Sequence, residues 1–132
     1  MREIIIILAI LMTLPILLNF LAGYFKIKRF GFYDIKNPRK QSSMLSGIGQ
    51  RAISAQKNSW EALIFLLCTL LIAFSSGVDH SIILESVFAF LIIRLFYIIF
   101  YLADWGISRA ITWALGIFVC LWLILKSYMN IN

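Results

Sequence analysis

The stretch Ile82-Ile-Leu-Glu-Ser-Val-Phe-Ala-Phe-Leu-Ile-Ile-Arg94-Leu-Phe-Tyr97-Ile-Ile-Phe-Tyr101-Leu-Ala103 decides the fold. At about 1.5 Å per residue, a helix of this length covers the roughly 30 Å of a bilayer's hydrocarbon. The run reads as a membrane span, and the guanidinium near its middle then needs a cause. An ionised side chain at that depth costs at least about 2.5–3.5 kcal/mol on insertion scales, so it pairs or lines a wet cavity.

The rest of the chain has the same character. Its 132 residues are 62% hydrophobic and only 14% charged, with a mean hydropathy of +0.94. Soluble domains carry about a quarter charged residues, so a soluble domain is excluded. Four apolar runs, at about 4–25, 50–75, 82–103 and 107–125, predict an all-α membrane protein. Its fold class is a single four-transmembrane-helix bundle over residues 1–132. The first run, Ile4 to Phe25, is uncharged. It exceeds a signal-peptide core and precedes no small-residue cleavage site, so it stays as a span. Pro15 is expected to bend it, because the ring removes the hydrogen bond to the Leu11 carbonyl. The second helix is expected to begin ahead of the membrane, near Gly47 to Arg51. The link Asp104-Trp-Gly-Ile-Ser108 is so short that the last two spans are antiparallel neighbours. Ser108, Thr112 and Gly116 form a small-residue ridge at four-residue spacing, which predicts close packing on another helix.

Charge sets the orientation. Residues 26–57 hold eight of the twelve Lys and Arg and one acid, Asp34. The net charge of +6 therefore describes one loop. Nucleic-acid binding needs basic residues over a soluble face, and this chain has none. The loop reads as a cytosolic anchor on anionic lipid headgroups. The first and third loops are then cytosolic and both termini lie outside, against which only Lys126 argues. Cys68 and Cys120 sit in apolar runs and are expected to pack as small hydrophobes. His80, the one histidine, is expected to be a solvated loop residue, so no metal site is predicted.

Polar residues inside the spans fall into two stripes. On the second helix Arg51, Ser54, Asn58 and Glu61 recur at intervals of three, four and three; on the third, Arg94, Tyr97 and Tyr101 recur at three and four. Either interval keeps side chains on one helical face. The antiparallel stripes are expected to meet in the cytosolic half of the membrane, with Arg109 closing the cavity and Glu61 or a bound anion compensating Arg94. Interhelical hydrogen bonds that merely hold a bundle together, each worth about 0.6 kcal/mol, are the plainer explanation. Ser, Thr or Asn would suffice for that role, whereas three arginines and a glutamate at matched depth point to an anion site.

The segments Arg51-Ala-Ile-Ser-Ala-Gln-Lys-Asn58-Ser-Trp-Glu61 and Arg94-Leu-Phe-Tyr97-Ile-Ile-Phe-Tyr101, followed by Arg109, resemble the MAPEG superfamily of eicosanoid and glutathione metabolism. Asn37-Pro-Arg39 in the first loop makes the small bacterial branch the nearest likeness, which implies a bacterial inner membrane. The resemblance implies a homotrimer with glutathione as co-substrate, bound between subunits and reached from the cytosol. Carried over by position, Asn58, Glu61, Tyr97 and Tyr101 would contact the tripeptide, and Arg109 or Arg94 would stabilise its thiolate. Arg51 stands seven residues before Asn58, where the enzymes of the family have an arginine four before; Ser54 holds that place. Arg51 thus keeps the face but lies about one turn nearer water, where it can serve a ligand carboxylate.

The expected function is that of a membrane-bound glutathione transferase or peroxidase-like protein acting on lipophilic electrophiles. Its expected partners are membrane lipid, further copies of itself and a small lipophilic substrate. The alternative is a non-catalytic membrane protein of the same fold with a structural or lipid- and anion-binding role. A small transporter is disfavoured by the chain's 132 residues and the absence of an internal repeat.

Overall fold

Helical backbone runs past the apolar stretches at both ends of the bundle. The computed structural model describes residues 1–131. They form α1 (Arg2–Phe30), α2 (Pro38–Ser43), α3 (Gly47–Ser75), α4 (His80–Leu102) and α5 (Gly106–Ile131). The four long helices are each apolar and long enough to cross a membrane, and the protein is a multi-pass membrane protein.

Local chemistry explains where the helices begin and stop. α1 runs without interruption through Pro15, which is buried, and ends at Gly31. There φ is 80° and the Gly31 amide donates to the Ile27 carbonyl at 2.8 Å. Glycine reaches this left-handed geometry without steric cost. Lys28 and Arg29 occupy the last turn, where cations favour the negative end of the helix dipole. Asp79 caps α4 by accepting from the Ser81 amide at 2.9 Å and the Ser81 hydroxyl at 3.0 Å. Asp104, with φ 65°, turns the link between α4 and α5. Aspartate is among the few residues other than glycine that adopt this conformation readily.

α3 and α4 form the middle of the bundle. Both touch α1 and α5, whereas among the described residues α1 and α5 do not come together. On α3, Gly49, Ala52 and Ala55 are buried and three residues apart, and Gly49 meets Phe25 of α1. A Cβ at Gly49 would stand 2.9 Å from the Cβ of Phe25, so glycine sets the distance between these helices. Ile4, Leu66, Ile83, Val87 and Leu123 fill the central core. On α5, Thr112 and Gly116 are buried and Gly116 packs on Phe90 and Ile93 of α4. The ridge therefore works within one chain.

Most hydroxyls inside the spans turn back on their own helix. Thr69, Ser86 and Ser127 donate to the carbonyls of Phe65, Ile82 and Leu123 at 2.8–2.9 Å. Thr69 of α3 also meets the Cys120 thiol of α5; elsewhere adhesion between helices rests mainly on apolar packing.

The two ends of the bundle are tied separately. At one end, Arg51 holds Leu102 and Asp104. At the other, the Met1 ammonium bonds to His80 and the Asn130 amide donates to the Ser76 carbonyl at 2.7 Å. Residues 31–46 and 103–105 thus lie at one end, and Met1 and Asn130 with the turn at 76–79 lie at the other.

Two local expectations are corrected. His80 is half-buried and engaged by the chain's amino group instead of solvated. Cys68 lies on an exposed helix face; only Cys120 packs inside. The basic loop, expected to anchor on lipid headgroups, folds onto the helices. Its Gln41 is buried, donating to the Phe32 carbonyl at 2.9 Å and accepting from the Asp34 amide at 3.0 Å.

Candidate functional site

Arg94 is 4% exposed, and two neutral groups of α3 hold it. Nη1 donates to Asn58 Oδ1 at 3.2 Å and Nη2 donates to Ser59 Oγ at 3.1 Å. Ser59 passes its own proton to the Ala55 carbonyl at 2.8 Å, so its oxygen lone pairs face the guanidinium. In the middle of the bundle these bonds cross from α4 to α3. The expected ion pair with Glu61 does not form: among the described residues the one ion pair is Arg51–Asp104, at 3.3 Å. Arg94 therefore keeps an uncompensated positive charge at depth, held in a fixed orientation.

That charge borders a hollow of about 230 Å³ between α3, α4 and α5. Asn58, Glu61 and Phe65 line it from α3, Phe90 and Arg94 from α4, Trp113 and Gly116 from α5. Gly116 contributes room, because a larger side chain there would enter the hollow. Glu61 is exposed on the flank of the bundle. An acceptor and a donor of opposite charge thus share one mostly apolar hollow, an arrangement typical of ligand sites.

Beside the hollow, cations and rings alternate toward the end of α4. The Arg94 guanidinium lies 4.1 Å from the Tyr97 ring centre. Tyr97 meets Tyr101 edge-on at 5.5 Å, and Arg109 of α5 lies 4.4 Å over the Tyr101 ring. Cation–π contacts of this kind are worth about 0.5–2 kcal/mol each. Arg51 has a different place. Its Nε donates to the Leu102 carbonyl at 3.0 Å and its Nη1 to Asp104 at 3.3 Å. It thereby caps one of the unsatisfied carbonyls at the end of α4.

Of the residues singled out by spacing, Asn58, Glu61 and Arg94 come together in one hollow. Tyr97, Tyr101 and Arg109 stack alongside it, and Arg51 stands apart as a tie between helix ends. Ser59 was not foreseen, because it lies one position off the polar stripe. The signal that could have found it is the fork of the guanidinium, which takes two acceptors a few ångströms apart. Among the described residues no three His, Cys, Asp or Glu come together to hold a metal ion.

Among curated proteins and among solved structures, none matches the chain. A family model does match, and over nearly the whole length. The MAPEG family model covers residues 4–129, which span all four membrane helices and every residue of the hollow, and the chain belongs to the MAPEG family.

Proposed function

We propose that this protein is a membrane-bound glutathione transferase or peroxidase-like protein acting on lipophilic electrophiles, assembled as a homotrimer. The observation that carries the proposal is Arg94: a buried cation, oriented by neutral partners, beside a hollow that also holds Glu61. Glutathione carries two carboxylates and one ammonium group, so its site needs both charge signs and neutral donors and acceptors between them. Arg94 and Arg51 would take carboxylates, Glu61 the ammonium group, and Asn58, Tyr97 and Tyr101 the peptide backbone. Arg109, above the Tyr101 ring, would face the sulfur. A nearby guanidinium favours the charged form of a thiol and so makes it nucleophilic at neutral pH. The sulfur would then displace a leaving group from, or add to, an electrophilic carbon that reaches the site from the bilayer.

The exposure of Glu61 supports the oligomer. A carboxylate on the flank of a span is costly against lipid, and a neighbouring copy would cover it while completing the wall of the hollow. With the basic segment 26–57 in the cytosol, the site opens to the cytosolic side. Membership in the MAPEG family places the protein among membrane proteins of glutathione and eicosanoid metabolism and supports this choice of ligand.

A non-catalytic role is favoured by one specific observation. Arg51 is spent on Leu102 and Asp104, and Arg109 on the Tyr101 ring, so both can be explained by holding helix ends together. The two assignments separate in one experiment, conjugation of glutathione to a small chromogenic electrophile by the purified protein. A transferase gives turnover that Arg109→Leu lowers with little loss of affinity. A non-catalytic protein gives no turnover above the uncatalysed rate.

A further inference from the structure

Arg94 stands between two spaces. On its α5 side lies the hollow described above. On its α1 side lies a cavity of about 10 Å³, lined by Leu11 and Leu14 of α1, Ser59 and Leu63 of α3, and Phe90 and Arg94 of α4. A cavity needs about 10–15 Å³ to hold one water molecule, so nothing larger than water fits.

α1 brings a backbone acceptor to this cavity. Pro15 has no N–H, so the Leu11 carbonyl lacks the helical donor four residues on. Leu11 is 4% exposed and Pro15 is fully buried, so the gap between them opens toward the interior of the bundle. A carbonyl without a partner is costly inside a membrane, and ordered water is one of the means by which spans with an internal proline satisfy it. The Thr13 hydroxyl does not replace the missing donor, because it donates to the Ile10 carbonyl at 2.7 Å.

α3 and α4 supply the other partners. A guanidinium has five N–H donors, and Arg94 uses two of them, on Asn58 and Ser59. A hydroxyl oxygen has two lone pairs. Ser59 fills one with the bond from Arg94 and gives its own proton to Ala55, so one lone pair is left. The cavity is thus bordered by a carbonyl and a hydroxyl that accept and a guanidinium that donates. A buried water typically makes about three such bonds.

We propose that one water molecule is bound there, accepting from Arg94 and donating to the Leu11 carbonyl and to Ser59. Pro15 is then a positioning residue. By freeing a carbonyl it gives α1 a hold on Arg94 from the side away from α5. The water site does not depend on what the larger hollow binds, so either assignment can fail without the other.

Leu11-Met12 is the one Leu-Met pair in the sequence. Isotope labels on the leucine carbonyl carbon and the methionine nitrogen therefore select the Leu11 carbonyl alone. The test is solid-state NMR of the full-length protein labelled in this way in lipid bilayers, reading the magnetisation that water protons pass to that carbonyl. Wild type is expected to show this transfer, although Leu11 lies inside the first membrane span. In Pro15→Ala the restored amide takes the carbonyl, and the transfer is expected to fall severalfold. Alanine is the best helix former, so the variant keeps its fold. Ser86→Ala, whose hydroxyl bonds only to its own helix, is expected to leave the transfer unchanged. No transfer in wild type would overturn the water site. Equal transfer in wild type and Pro15→Ala would overturn the role of Pro15, because water would then reach Leu11 without the freed carbonyl.

Discussion

Arg94 on α4 donates to Asn58 on α3 at 3.2 Å, across the middle of the bundle and with no carboxylate in ion-pair reach. A neutral acceptor fixes the direction of the guanidinium but leaves its charge available. If that charge serves a ligand, Arg94→Leu should weaken glutathione binding at least tenfold, the loss of one charged hydrogen bond worth about 1.5–3 kcal/mol. The variant should still insert and fold, because Ser59 keeps its bond to Ala55, although Asn58 and Ser59 each lose the bond from Arg94 and Tyr97 loses its cation–π contact. Equilibrium dialysis and size-exclusion profiles of the variant check both statements.

Gly49 sets the spacing of α1 and α3. Gly49→Ala puts a methyl group against the Cβ of Phe25, which cannot swing aside as a side-chain tip would. The expected cost is about 1–3 kcal/mol, read as a lower midpoint of denaturation in detergent. Gly106→Ala is the control. No atom lies within 4 Å of its added Cβ, so stability should hold or rise slightly, since alanine favours the helix.

The tie between Arg51 and the end of α4 separates holding from binding. The pair with Asp104 is largely exposed, with the two side chains at 25% and 67%, so Asp104→Asn should change stability by less than about 1 kcal/mol. Asparagine also accepts the positive φ at this position. Arg51→Leu removes in addition the cap on the Leu102 carbonyl and should cost more. If it lowers glutathione affinity instead and leaves the denaturation midpoint unchanged, Arg51 belongs to the ligand and not to the helix end.

Asp79, outside the spans, gives the bundle a pH-dependent element. The bonds from the Ser81 amide and hydroxyl stabilise its carboxylate and lower its pKa below the ordinary carboxylate value. A group with a depressed folded pKa stabilises the fold above its unfolded pKa, about 4, and that contribution is lost as pH falls through the lower folded value. Asp79→Ala should therefore lower the thermal midpoint at neutral pH. The gap from wild type should narrow as the solution is made more acidic than about pH 4.

Periodicity made the spans and the core of the site legible. That Arg94 needs a partner could be read from sequence, because an uncompensated guanidinium in an apolar run has few physical outcomes; which partner could not, and Asn58 and Ser59 hold it where Glu61 or a bound anion was expected. What periodicity hid is the folded loop. Residues 38–43 form a helix too short to show a repeat, and its buried Gln41 bonds to backbone that no spacing announces. Lys26 read as part of a solvated charge run, yet its long stem lets the ammonium turn back under the loop to Pro38. The outward placement of Glu61 and Cys68 was equally unreadable, since a span that is apolar all round does not tell which face meets lipid and which meets another helix.

The central claim is that the hollow beside Arg94 binds glutathione, with Glu61 taking its amino group. The most direct measurement is calorimetric titration of folded protein in detergent with glutathione and with an analogue lacking that amino group, for wild type and Glu61→Gln. The account predicts that wild type binds glutathione more tightly than the analogue. Glu61→Gln should then weaken glutathione about tenfold or more, as the loss of a charged hydrogen bond requires, and leave the analogue nearly unchanged. No detectable binding at millimolar glutathione by protein shown to be folded, or equal weakening of both ligands by Glu61→Gln, would contradict it.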